Sequence, residues 1–312
     1  MKHKEVLMRL AALGLSTVVL WSSPAIAFAT EPTAEYVAEK QKENGSKVKK
    51  LELEKNAESE KEARNSTRST YEADENGFVI EDGVLVDYQG DAETVVILES
   101  VTTIGNEAFW GCSHLTNIVI PNSVTTIGNS AFWGCSRLTE ITIPDSITTI
   151  ESQAFFRCTA LTEIEIPNSV TKIGIRAFAE SENLEKIVIP ESVTKIESDA
   201  FFQTKWLENK RLENPLVIVN SILIDATTAT GTVTIPSNIT QIGDSAFDCS
   251  EVTEIVISEN VTQIGSSAFY GCDNLKQITI PGSVSEVPDF AFSYCLNLEE
   301  VILLEGVCQR VF

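Results

Sequence analysis

Residues Ile120–Ile143 read IPNSVTTIGNSAFWGCSRLTEITI, and this stretch decides the fold because it returns at a fixed spacing along most of the chain. Cysteines fall at 112, 135 and 158, and again at 249, 272 and 295, in steps of 23 residues. An Ala-Phe pair marks one place eight times, at Phe109, Phe132, Phe155, Phe178, Phe201, Phe247, Phe269 and Phe292. The recurring apolar positions of the unit are Val124, Ile127, Ala131, Phe132, Cys135, Leu138, Ile141 and Ile143, and they define its inside. A period of this size is the mark of a stacked-repeat architecture.

Within the unit, Leu138 to Ile143 alternates apolar and polar residues, the pattern of a strand with one buried face. Proline then closes it, at Pro121, Pro144, Pro167, Pro190, Pro236 and Pro281, where a missing N–H stops strand pairing. Gly105, Gly128, Gly174, Gly243 and Gly265 follow a second short extended stretch and are expected at positive φ. One unit cannot bury its own apolar side, so neighbours stack and their strands pair in register at about 4.8 Å per repeat. The predicted fold is a repeat solenoid of 23-residue units with a continuous parallel β-sheet, short turns and two β-hairpin modules.

The pattern C-x-x-L-x-x-I-x-I-P-x-x-V-x-x-I-G-x-x-A-F, carried from Cys135 through Pro144 to Phe155, resembles the BspA-type bacterial leucine-rich repeat. The resemblance covers about three quarters of the chain. It implies a secreted or cell-surface protein with an interaction or adhesion role, and it carries over no residue-level binding motif, because the shared positions are core positions.

Outward from the repeats, the chain divides in order. Residues 1–29 carry Lys2, Lys4 and Arg9, then an apolar run from Leu10 to Trp21 and the small residues Ala27-Phe28-Ala29. This reads as a secretory signal peptide cleaved after Ala29, its apolar run being short of the roughly 20 residues that span a bilayer. Residues 30–76 are a charged flexible spacer, too poor in large apolar residues to offset ordering entropy. Residues 77–97 form an N-terminal hairpin cap turning at Asp82-Gly83, 98–205 are repeats, 206–230 a second hairpin insert turning at Asn220-Ser221, and 231–312 repeats again. Leu85 to Ile97 and Leu223 to Ile235 are equally spaced, so the second hairpin restarts the array. Trp206 is expected to cover the end of the first sub-array. Past Val301, Leu303 and Val307 the last repeat breaks off at Cys308–Phe312, which reads as a truncated unit whose edge self-associates.

Chemistry finds little foothold. The repeat cysteines read as buried free thiols in a small-residue slot, filled by Ser181 and Thr204 where cysteine is absent, and Cys308 stands off this ladder. No C-x-x-C, G-x-S-x-G, H-E-x-x-H or phosphate-cradling glycine loop occurs, and His3 and His114 are the two histidines, so no metal, cofactor or enzymatic activity is expected.

Two surfaces remain as candidate binding sites. The first is the outward row of the strands: Asn117 and Val119, Glu140 and Thr142, Glu163 and Glu165, Lys186 and Val188, Glu254 and Val256, Gln277 and Thr279, Glu300 and Ile302. It suits an extracellular protein partner, as in an adhesin. The second is an aromatic stripe after the ladder Phe, namely Trp110, Trp133, Phe156, Phe202 and Tyr270, which suits carbohydrate or cell wall. A structural repeat without ligand is the third reading.

The formal charge of −22, from 45 acidic and 23 basic residues, argues against nucleic acid or anionic lipid as partner, and with no second long apolar run no membrane insertion is expected. The spacer 31–76 holds 12 acidic and 9 basic residues, whereas 77–312 holds 32 and 11. A partner is therefore expected to be basic, cation-bridged or neutral, with binding that weakens as salt rises.

Overall fold

The computed structural model describes residues 72–288 and 290–304, together with the backbone of Val6–Arg9. The segment read as a signal peptide, the segment read as a spacer as far as residue 71, and Cys308 lie outside the described residues, that short strand apart. The rest is a solenoid whose coils each have three sides.

The long side carries the alternating strands, Asn117–Val119, Glu140–Ile141, Glu163–Glu165 and their equivalents, paired in parallel one coil apart. Most then meet a proline, whose carbonyl accepts a hydrogen bond from the N–H three residues on, as Pro121 does from Val124 (3.1 Å) and Pro144 from Ile147 (3.0 Å); Leu98 and Ser258 accept the same bond where proline is absent. The proline thus ends the strand and opens a β-turn. The short side follows, with two-residue strands such as Thr126–Ile127 and Lys172–Ile173.

The third side, the arch around Ala-Phe, is itself a hydrogen-bonded ladder. Ser130, Phe132 and Gly134 donate their N–H groups to the carbonyls of Ser152, Ala154 and Phe156 in the next coil, at 3.0, 2.9 and 2.7 Å. Arch bonds of this kind run from Tyr88 to Phe202 and again from Ala226 to Ser293. The long side, by contrast, is parallel throughout but falls into separate ladders, one ending at Glu140–Ile141 and the next starting at Glu163–Glu165. Every arch is kinked by two left-handed residues, one two places before the Phe (Glu107, Ser130, Gln153, Arg176, Asp199, Ser245, Ser267, Phe290) and one two places after it (Gly111, Gly134, Arg157, Glu180, Gln203, Cys249, Gly271, Tyr294).

This places positive φ elsewhere than expected. Gly105, Gly128, Gly174, Gly243 and Gly265 are not among the positive-φ residues. They are needed because successive coils nearly touch there: a Cβ on Gly174 would lie 2.6 Å from Ser152 N, and one on Gly265 2.4 Å from Asp244 N. The missing side chain lets two backbones meet, and conformational freedom has no part in it.

The apolar positions fill the interior. Phe109, Phe132, Phe155, Phe178 and Phe201 stack in a column with ring centroids 5.2–5.8 Å apart and planes within 11°. Beside the column runs the cysteine slot, and it is a hydrogen-bonding place as well as a small one. Cys135, Cys158, Cys272 and Cys295 aim their Sγ at the carbonyl of the Phe one coil back, at 3.0–3.3 Å, and Ser181 Oγ does the same at 2.9 Å. The cysteines of the described residues are free thiols. Cys249 corrects the sequence reading: the coil from Phe247 to Phe269 is 22 residues, so Ser250 occupies the slot and Cys249 stands exposed at the kink.

Burial pushes the Cys135 and Cys158 thiols well above the ordinary thiol range. Above about pH 9 unfolded thiols ionise while these stay protonated, so unfolding then releases protons and stability falls as pH rises. The urea midpoint is expected to drop between pH 8 and 10, and a Cys135→Ser, Cys158→Ser variant to lose part of that drop; an unchanged drop refutes the assignment.

Two hairpins are present, each occupying part of the segment assigned to it. Phe78–Glu81 pairs with Val84–Tyr88 around Asp82-Gly83, both at positive φ, and Val217–Val219 pairs with Ile222–Asp225 around Asn220-Ser221. Between the first sub-array and the second hairpin lies a helix the sequence did not announce, Lys205–Glu213, capped by Thr204, whose side chain accepts from Leu207 N (3.2 Å). Its Trp206 and Leu207 are buried against Phe201 and the end of the first core. Arg211 grips Asp225 through Nε and Oδ1 at 2.9 Å, and Asn220 Nδ2 donates to Val193 O at 2.8 Å. Ile222 and Leu223, neighbours on one strand, belong to different cores, so this strand is the partition between the sub-arrays. At the far end Glu300–Leu303 pairs in parallel with Gln277–Ile280, and its other edge carries Val6–Arg9 in antiparallel pairing.

Candidate functional site

The outward row lies on the strands of the long side. Ile118, Ile141 and Ile164 point into the core, so Asn117 and Val119, Glu140 and Thr142, Glu163 and Glu165, and Lys186 and Val188 point away from it. In the second sub-array Glu254, Val256, Gln277 and Thr279 share this orientation but are half-buried. Pairing sets the row in two columns. Thr94, Asn117 and Glu140 form one, and Val96 and Val119 the other, with Thr142 at the next place by spacing; in the separate ladder that follows, Glu163 pairs with Lys186 and Glu165 with Val188 at the equivalent places. The second column is the notable one. Val96, Val119 and Val188 are 61, 49 and 59% exposed, with Leu98 at 42% beside them. Lys186 Nζ meets Glu163 Oε2 at 3.6 Å, a surface pair of small energetic weight.

The aromatic stripe is arranged differently from what stacking on sugars requires. Trp110 and Trp133 lie parallel at 4.7 Å, and Trp133 and Phe156 at 5.6 Å, so the rings cover one another's faces. Trp110 and Phe156 are buried, Trp133 and Phe202 half-buried, and Tyr270 is exposed. Arg157 lies over Trp133 and Phe156, with Cζ 5.7 and 5.4 Å from the ring centroids, and its Nε is held by Glu180 Oε2 at 2.7 Å. In this stretch the stripe is a closed stack strapped by an ion pair.

Charge is distributed unevenly. Residues 172–211 hold seven basic and seven acidic side chains, whereas 212–309 hold 13 acidic residues and only Lys276. The basic groups of the middle band reach across coils, Arg176 Nε to Asp199 Oδ2 at 3.4 Å, Lys205 Nζ to Glu185 Oε2 at 3.0 Å and Lys172 Nζ to Glu197 Oε1 at 3.0 Å, while Lys195 Nζ meets the same Glu197 oxygen at 2.9 Å from within its own coil. Burial works to raise the Glu197 carboxyl, and hydrogen bonds from Lys195 and Lys172 outweigh it, holding it below the usual carboxylate range. The band is therefore stitched internally.

The joint between the sub-arrays opens a groove of about 440 Å³ on the short side, lined by Lys195, Ile222, Gln241, Asp244, Gln263 and Ser266 among others. No sequence signal marks it, because it is made by the interruption of the stacking. Across it Gln241 Nε2 reaches Thr194 O at 3.5 Å and Ser198 Oγ meets Ser245 Oγ at 3.2 Å. No group of metal-ligating side chains occurs among the described residues.

A family model described as BspA type Leucine rich repeat region matches the chain in six copies, over residues 87–208 and 202–309. Among solved structures, a leucine rich cell surface protein of Faecalibacterium prausnitzii is 23% identical over 75% of this chain and 94% of its own, with a TM-score of 0.40. A leucine-rich repeat protein of Bacteroides ovatus is 29% identical over 76% of each chain (TM-score 0.38), and one of Eubacterium ventriosum 22% identical over 74% of this chain and 83% of its own (TM-score 0.43). No curated protein matches the chain.

Proposed function

The chain belongs to the BspA-type leucine-rich repeat family, and on that footing we propose that it is a secreted or surface-exposed, non-catalytic interaction protein that binds an extracellular protein through the outward faces of its first two long-side ladders. The observation that carries this reading is the set of equivalent residues Val96, Val119 and Val188, 49–61% exposed where alternation and solvation alone favour polar residues. Val96 and Val119 stand one coil apart and Val188 three coils further on, with Thr142 and Glu165 at the places between, so branched apolar ridges are set among polar ones. An exported location agrees with the leader-like residues 1–29, and no described helix is long and apolar enough to cross a membrane.

The test is a pull-down of extracellular proteins on the immobilised mature chain, repeated with a Val96→Asp, Val119→Asp, Val188→Asp variant. These side chains are exposed, so the fold survives, while binding of a partner seated on the column falls at least tenfold, about 1.4 kcal/mol. Capture undiminished in the variant removes this face from consideration. Carbohydrate binding through the aromatic stripe is the competing reading; the closed ring stack works against it, and a glycan array that lights up with the intact chain would restore it.

A further inference from the structure

The coil around Phe292 departs from the pattern of its predecessors. The two kink places of each arch are left-handed, and in every earlier described coil they are filled by polar side chains, glycine or Cys249; here they hold Phe290 (φ +65°) and Tyr294 (φ +61°). Aromatic residues are poorly suited to this backbone conformation. Leu296 stands where the preceding coil has Asp273, again an apolar residue in a polar place. The three are 73, 53 and 67% exposed, and Tyr270 of the preceding coil, 36% exposed, meets Tyr294 edge to face at 5.1 Å. Strained backbone that displays aromatic rings to solvent adds nothing to the core.

We propose that this patch is a docking surface for a protein segment that combines basic and apolar side chains. The setting decides between occupants. Residues 212–309 carry 13 acidic groups against Lys276 alone, and Asp248 and Asp273 hold the stacked places beside Tyr270 and Leu296. A second copy of this chain brings the same negative charge and is repelled, whereas lysine and arginine stems lie over tyrosine rings with their heads among carboxylates. The patch lies on the arch, away from the valine column, so the proposal does not depend on the sheet-face reading.

The experiment compares the full mature chain with a Phe290→Asn, Tyr294→Gly variant against two soluble peptides, one alternating lysine with leucine and one alternating glutamate with leucine. Asparagine and glycine accept the left-handed conformation, so the variant's thermal midpoint is expected to hold or rise. Its affinity for the lysine peptide is expected to fall about 30-fold or more, the size of losing central aromatic anchors, and the intact chain's affinity to fall with salt. Four results each overturn the proposal: no binding of the lysine peptide, equal binding of the glutamate peptide, equal binding by the variant, or a midpoint lowered by more than about 4 °C, which would mean that the rings pack rather than display.

Discussion

Phe155→Ala is expected to destabilise the protein by about 4 kcal/mol and to lower its thermal midpoint by roughly 10 °C. Phe155 is fully buried and lies between Phe132 and Phe178, both at 5.4 Å with planes 5° apart. Removing its ring opens a void faced by rings above and below. Neither can follow it, because each is fixed by its own arch: the N–H of Phe132 donates to Ala154 O at 2.9 Å and that of Phe178 to Ala200 O at 2.8 Å. The cavity therefore stays open, and the cost approaches the upper range for such truncations. Phe292→Ala is the control, since Phe292 is only half-buried and its loss is expected to cost about half as much. Chemical denaturation of both variants checks the pair; a Phe155→Ala cost below about 1.5 kcal/mol would mean the array repacks freely, against the rigidity assigned to the column.

Gly265→Ala is expected to cost about 3 kcal/mol, and Gly111→Ala only about 1 kcal/mol, though both are surface-side glycines of the same array. At Gly265 a Cβ would lie 2.4 Å from Asp244 N and 2.5 Å from Gly243 C, so the coils must separate. Separation breaks the bonds that close this corner, Gly265 N–H to Ile242 O and Ser266 N–H to Asp244 Oδ1, both at 2.8 Å. At Gly111 nothing lies within 4 Å of an added Cβ, and only the φ of +68° resists it. Unfolding free energies of the two variants separate the mechanisms. Equal losses would mean that conformational preference governs both places, and the close-contact account would fail.

The two glycines also mark the limit of what the sequence could say. Positions such as Val124, Phe132 and Leu138 were legible because period and burial coincide there: only an apolar residue serves. Glycine answers two different demands, an unusual φ and an absent Cβ, and spacing alone does not distinguish them. The kinks left no signal at all, since Glu107, Gln153, Arg176 and Asp199 are ordinary residues held left-handed by arch bonds. The shift at Cys249 was hidden because an in-step cysteine looked like the ladder member that Ser250 supplies. The helix Lys205–Glu213 escaped because it buries little beyond Trp206 and Leu207 and so has no apolar stripe. Of the surfaces, the outward row followed from alternation, whereas the closure of the aromatic stack depended on ring orientation, which spacing does not encode.

The bonds between coils have a mechanical meaning. On the arch, N–H groups point toward the following coil; on the short side they point back, as from Gly128 to Ile104 O. Both sets lie along the direction of stacking, so tension between the two ends of the array loads them lengthwise. Such a contact peels one coil at a time instead of shearing many bonds at once. Each released coil of 23 residues yields up to about 80 Å of slack chain. Under pull the repeat array would behave as a series of small fuses that lengthens in steps and re-forms when the load is removed.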